Sequence, residues 1–350
     1  MESIFICPKC RAALTISTDH YDCQNCRAQW PISAGVVKLS EKLSYWSLLP
    51  QELFQDFLAE AEAKGWREAI VSSNQQQVRE LLTFTDSPSR ADGSFYLSLT
   101  DESRVLDLGP GWGSYTFAIS PRVKEIVAAD TNNEALRFIS LRARQSKISN
   151  ITPALIEPLD YARLPFADNA FDAVIMNGVL EWVGAYLAQG DPLKIQSACL
   201  KETARVLKPG GEIWLGIENR FGLRYFYGAP DDHLLYYAPE KRLAYTTLMP
   251  RLLADLVTRQ KLGRPYRTYT HSLWGLKRLL NRAGLDRLEF YYPEDDYRAL
   301  STRIIPVEAM EAKRQVGSKI KNQLVAGLVK TFDLEPALCD SYFVLGGKTK

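Results

Sequence analysis

The alternation of apolar and polar positions divides the 350-residue chain into stretches of distinct period. Between residues 104 and 120, Val105, Leu106 and Leu108 form a short apolar run, and Gly109, Gly111 and Gly113 interrupt it. Residues 114–119 then resume a pattern compatible with a helix. A short apolar run bounded by turn residues reads as a buried strand. EIVAAD at 125–130 repeats that pattern and ends in an acid. Residues 133–147 follow with a helical stripe at Leu136, Ile139 and Ala143. Upstream, Leu53, Phe54, Phe57, Leu58 and Ala61 recur at helix spacing, and Ile70, Val78, Leu81 and Leu82 do so more loosely. Gly65 predicts a break between two helices, and Ser87-Pro88 with Asp92-Gly93 predicts a loop before the central strands. Residues 198–220 read as helix, turn and strand, with the turn at Lys208 to Gly211.

A strand turning on glycines into a helix presents backbone amides and the helix's positive end to a ligand. In the dinucleotide fingerprint GxGxxG the third glycine would fall at Ser114, whereas here it falls at Gly113. Asp107, two residues before the first glycine, would repel a pyrophosphate but suits an ammonium group. S-adenosylmethionine (SAM) has an ammonium, a sulfonium and no phosphate. RVLDLGPGWGSYTFAIS resembles motif I of the class I SAM-dependent methyltransferases. Asp130, about 20 residues beyond the glycines, is suited to accept hydrogen bonds from both ribose hydroxyls. Thr131 follows it.

Three further stretches carry the same resemblance. "DYARLPF" is similar to the family's acidic turn, which implies that Asp160 faces the adenine amino group and the Tyr161 amide a ring nitrogen. "FDAVIMN" is similar to its fourth strand, with Asn177 at the ligand-binding end, and "RVLKPGG" to its signature before the fifth. Residues 269–285 resemble the helix before strand six (288–292), and SYFVLGGK resembles strand seven (341–345). The resemblance implies an α/β fold, a Rossmann-like seven-stranded class I methyltransferase sheet with helices on both faces. A helical insertion is expected at 293–338, with 304–330 partly amphipathic.

Cysteine usage adds a second site. Cys7-x-x-Cys10 and Cys23-x-x-Cys26, twelve residues apart, have the spacing of a zinc ribbon, in which four thiolates close a tetrahedron. The alternative of two disulfides is disfavoured by the lack of a secretory signal, and Cys199 and Cys339 read as buried thiols. RAQWPISAGVVKL resembles the end of the small zinc ribbons of the tRNA-methyltransferase activator family. The expected organisation is a ribbon (1–40), a helical linker or lid (41–100) and a SAM-dependent methyltransferase domain (101–350). Substrate-side insertions are expected at about 218–266 and 293–338.

The net charge of +2 exerts no strong pull on nucleic acid, and no apolar run spans a bilayer. The chain reads as a cytoplasmic enzyme. The expected acceptor is a small molecule; ENRFGLRYFYGAPDDH at 218–233 resembles methyltransferases encoded among bacterial polysaccharide and glycosyl-transfer enzymes, which implies a sugar or glycolipid hydroxyl. An RNA or tRNA base methyltransferase that grips nucleic acid with the ribbon, and a non-catalytic SAM-fold binding module, are the alternatives. Nothing in the sequence sets the oligomeric state. The aromatic stretch at 218–240 reads as a substrate wall. His233 is the first choice for a general base, with Glu181 and Glu218 behind it. His20 reads as solvated, and His271 as a helix cap or surface residue.

Overall fold

The two acid-bearing apolar runs, at 105–108 and 125–130, form adjacent parallel strands in the computed structural model, which describes residues 3–42, 45, 47, 49–81, 85–157, 164–185, 190–231, 243–294, 296–298 and 303–349. The chain divides into two compact units. One comprises residues 1–176, 202–214 and 347–350, the other residues 177–201 and 215–346.

The first unit begins with four short strands, β1 (Leu14–Ile16), β2 (His20–Cys23), β3 (Gln29–Ser33) and β4 (Val36–Lys38), paired antiparallel in sequence order. Three helices follow, α1 (Gln51–Lys64), α2 (Trp66–Val71) and α3 (Gln76–Glu80), with Gly65 between the first two as its spacing predicts. The central strands are β5 (Arg104–Leu108), β6 (Glu125–Asp130), β7 (Ile151–Leu155), β8 (Phe171–Asn177) and the first part of β9 (Leu207–Glu218). Helices α4 (Ser114–Ile119), α5 (Asn133–Gln145) and α6 (Pro192–Val206) connect them. The strand order within this unit is β1-β2-β3-β4-β7-β6-β5-β8-β9. β5, β6, β7 and β8 run parallel, and Val105, Leu106, Leu108, Ile126, Val127 and Val174 are fully buried. Parallel strands covered on both faces have to be near-continuously apolar, which is why these runs read so clearly.

The ribbon does not stand apart from this sheet. β4 pairs in parallel with β7 through Val37↔Ala154 and Lys38↔Leu155, and Phe5 forms an antiparallel bridge with Phe166. The pairing covers the backbone groups that β7 would otherwise expose at an edge. Seven described strands match the expected sheet, and the ribbon's four plus one other raise the sheet to twelve.

Two motif residues hold strand starts. Asp172 accepts hydrogen bonds from the Arg104 amide and from Lys208 Nζ, all at 2.8 Å. Lys208 to Gly211 belongs to β9 instead of forming a separate turn, and Gly210 alone takes a left-handed φ of 80°. Gly211 has no room for a side chain, since a Cβ there would lie 2.9 Å from the Asp172 carbonyl. Trp214 is fully buried against Tyr96, and its Nε1 donates to the Tyr115 hydroxyl at 3.1 Å.

The second unit holds the end of β9 with β12 (Ser341–Lys348), β10 (Leu285–Pro293) and β11 (Ile304–Pro306), in the order β9-β12-β10-β11. Its helices are α7 (Leu223–Phe226), α8 (Arg251–Leu262), α9 (Leu273–Arg282), α10 (Met310–Ser318), α11 (Gln323–Thr331) and α12 (Glu335–Leu338). Within the expected insertion at 293–338, the described elements after β10 are β11 and the helices α10, α11 and α12. Cys199 and Cys339 are buried, as expected.

Candidate functional site

The glycine turn is built by backbone conformation. Gly109, Gly111 and Gly113 have φ of 73°, 54° and 84°, a region that side-chain-bearing residues rarely adopt. Gly113 is the N-cap of α4, and a Cβ there would lie 2.9 Å from the Phe117 ring. Asp107 and Asp130 stand at or near the carboxyl ends of β5 and β6, where open α/β sheets bind ligands. Asp107 is buried, and its Oδ2 accepts from the Thr116 hydroxyl at 2.5 Å. Burial pushes its carboxyl up to about 7, and the neighbouring Asp130 adds to the shift against the Thr116 hydrogen bond. Asp130 is likewise raised to about 6 by burial, although the amides of Asn132, Thr131 and Gly111 donate to it. The result is two neighbouring acids for which no cation among the described residues offsets the cost of burial. That donor set fits a ligand bringing an ammonium to Asp107 and hydroxyls to Asp130.

Asn132 caps α5, accepting from the amides of Glu134 and Ala135, so the start of the helix is tied to the end of β6. Over the turn lies Trp112, stacked on Phe54 of α1 with ring centroids 4.4 Å apart and edge-on to Phe138 of α5 at 5.1 Å. The segment from α1 to α3 thus packs onto the glycine turn itself. Asp160 and Tyr161 lie outside the described residues. Asn177 belongs to the second unit, and its buried Oδ1 has no hydrogen-bond partner among the described residues.

The four ribbon thiols converge as their spacing predicts. The sulfurs of Cys7, Cys10, Cys23 and Cys26 lie within 4.8 Å of one another, and no disulfide joins them. The two knuckles repeat one geometry. The Arg11 amide donates to the Cys7 carbonyl and the Arg27 amide to the Cys23 carbonyl, both at 2.8 Å, with φ of 68° and 57° at the two arginines. Four sulfurs so placed suit one tetrahedral zinc. His20 is held between Asp19 and Asp22, which raise its pKa, Asp19 contributing most.

In the second unit, Glu181 and Glu218 are both buried, and Tyr297 is hydrogen-bonded to the first and feels the charge of both. Its hydroxyl donates to Glu181 Oε1 at 2.7 Å, and its ring lies against Gly178 and Gly216. Burial, with the charges of Glu181 and then Glu218, holds the Tyr297 hydroxyl far above the ordinary tyrosine range, so it remains a donor. Arg298 and Arg224 approach Glu218 Oε1 at 3.4 and 3.5 Å and share Asp296. Tyr297 was not legible in the sequence, because its short loop carries no periodicity and no motif.

His233 lies outside the described residues. Asp231, beside it in the chain, is buried and accepts from the Tyr266 hydroxyl at 2.9 Å, an internal bond of the second unit. His271 is neither a cap nor a surface residue. It is buried with Nε2 2.8 Å from Gln196 Oε1, and burial and then the charges of Arg251 and Arg220 lower its pKa to about 3. The capping role falls to Ser272, whose hydroxyl accepts from the Gly275 amide. A groove of about 500 Å³ lined by Trp274, Lys277, Arg278, Asn281 and Arg282 follows the outward face of α9 and contains none of the predicted site residues.

Residues 106–215, which hold the glycine turn and strands β6 to β8, match the methyltransferase domain family Methyltransf_11. The chain is 26% identical over 179 residues to a chondramide synthase of Chondromyces crocatus, a match covering 51% of this chain and 4% of the synthase. It is 33% identical over 122 residues to an uncharacterized methyltransferase of Mycobacterium tuberculosis, covering 34% of this chain and 42% of that one. The chain therefore spans less than half the length of these relatives. Among solved structures, a complex between the Haloferax volcanii Trm112 methyltransferase activator and a methyltransferase has a TM-score of 0.42 at 14% identity, covering 87% of this chain and 100% of that one.

Proposed function

We propose that this chain is a SAM-dependent methyltransferase acting on a small molecule, and that its N-terminal ribbon holds one structural zinc through Cys7, Cys10, Cys23 and Cys26. The observation carrying the reading is the pair of raised-pKa acids, Asp107 and Asp130, set around three left-handed glycines within the methyltransferase domain. The chemistry that bound SAM supplies is an activated methyl carbon, transferred by in-line displacement from the sulfonium. The protein's part is to hold and desolvate the reactants.

In this reading Asp107 receives the cofactor's ammonium and Asp130 its ribose hydroxyls. Gly109, Gly111 and Gly113 let the backbone approach, and Thr131 borders the ribose. By resemblance, the Asp160 carboxylate faces the adenine amino group and the Tyr161 amide a ring nitrogen. Trp112 under α1 excludes water from the turn. A sugar or glycolipid hydroxyl remains the leading acceptor, with His233, Glu181 and Glu218 as the groups able to take its proton. Glu181 is the best supported of the described pair, because Tyr297 orients its carboxylate.

Calorimetric titration with S-adenosylhomocysteine tests the cofactor assignment. Wild-type protein should bind, and Asp130→Ala should weaken binding by ~10-fold to 100-fold, the range for losing a charge-assisted hydrogen bond. Unchanged affinity would refute the assignment. A mass-spectrometric screen for labelled methyl transfer to sugars, lipids and bulk RNA then identifies the acceptor class.

A further inference from the structure

Helix α11 faces outward with the residues a packed helix would bury. Only Val329 is buried, against Leu223 and Ile320, with Ala326 beside them. Leu324, Val325, Leu328 and Phe332 follow one another at helical spacing on the other side and are 82%, 47%, 59% and 67% exposed. The helix is firmly started, since Asn322 Oδ1 accepts from the amides of Leu324 and Val325 at 3.0 and 3.2 Å. An apolar stripe of this kind on a well-capped helix marks an interaction surface.

The charge around it names the partner. Residues 310–338, the span of α10 to α12, hold five cations, Lys313, Arg314, Lys319, Lys321 and Lys330, against three acids, Glu311, Asp333 and Glu335, a local net charge of +2. Lys313 is neutralised by Asp333 and Glu308. Lys321 and Lys330, at the two ends of the helix, are exposed. A second copy meeting this face about a two-fold axis would bring two such cationic segments together. Nucleic acid would satisfy the lysines but leave the leucines and the phenylalanine in contact with phosphate. An anionic lipid surface satisfies both, because apolar side chains enter the boundary between headgroups and acyl chains while lysines meet the headgroup charge.

We propose that α11 docks this protein on an anionic lipid bilayer, with Leu324, Leu328 and Phe332 inserted and Lys321 and Lys330 on the headgroups. No described helix is long and apolar enough to cross a membrane, so the contact is peripheral. The proposal stands apart from the identity of the methyl acceptor.

Flotation of the full chain tests it, with vesicles of phosphatidylcholine alone and of phosphatidylcholine mixed with phosphatidylglycerol. The expected result is binding to the mixed vesicles, about tenfold weaker on the neutral ones and weakened by salt. Leu328→Asp and the pair Lys321→Glu with Lys330→Glu should each reduce binding by about tenfold or more. All three positions are exposed, so thermal unfolding and S-adenosylhomocysteine affinity should match the wild type and separate lost docking from lost folding or a lost cofactor site. Failure of the wild type to float with mixed vesicles would overturn the proposal. So would equal flotation of Leu328→Asp. Light scattering that finds a dimer converted to monomer by Leu328→Asp, without vesicle binding, would assign the face to a second copy instead.

Discussion

At the residue scale, Asp107 and Asp130 carry the sharpest expectation. Both are acids raised above their unfolded values by burial, to about 7 and about 6. A group raised on folding contributes stability below its unfolded pKa and loses it as pH climbs through the folded pKa. The ligand-free protein should therefore lose stability between about pH 4 and about pH 7 from these two acids. The ligand's ammonium group favours the ionised Asp107, so S-adenosylhomocysteine should bind roughly tenfold or more tightly at about pH 7 than at about pH 5. Asp107→Asn should flatten that dependence, and titration calorimetry across the range checks it. Tyr297→Phe removes a buried donor from Glu181 and should destabilise the protein by ~1–3 kcal/mol in chemical denaturation. The two acids were legible because one interrupts and the other ends an apolar run at a set distance from the glycines. Tyr297 was not, since its partner Glu181 lies 116 residues away in the chain.

At the element scale, the predicted helices and strands formed where period and burial agreed. α5 buries Leu136, Ile139 and Ala143 as the stripe predicts, and α1 buries Phe54, Phe57, Leu58 and Ala61. What the stripe of α1 could not say was its target, which proves to be Trp112 on the glycine turn. Phe54→Ala, at a position 1% exposed, should cost ~3–5 kcal/mol of stability and weaken S-adenosylhomocysteine binding, measured by thermal unfolding and calorimetry on one sample. α11 reverses the usual rule, because its apolar stripe faces water. A periodic pattern reports that a helix has an apolar side, without reporting what covers it.

At the scale of the whole molecule, the ribbon is a continuation of a sheet. The β4–β7 pairing and the Phe5–Phe166 bridge join it to the strands that carry Asp107 and Asp130. Metal analysis should find one zinc per chain. Cys23→Ser, or removal of zinc by a chelator, should lower the thermal midpoint of the first unit, because losing the ribbon's cross-link exposes the edge of β7. A variant that retains the wild-type midpoint without zinc would contradict a structural metal.

By itself the sequence determined the glycine turn and the thiol set. Each is specified by short-range spacing, glycines where φ must be positive and cysteines where two knuckles must close. Only the tertiary structure decided that the ribbon covers the edge of β7, that His271 is buried beside Gln196, that Tyr297 donates to Glu181, and that α11 turns its leucines outward. Those outcomes depend on which distant surfaces meet, and side-chain periodicity carries no record of the partner.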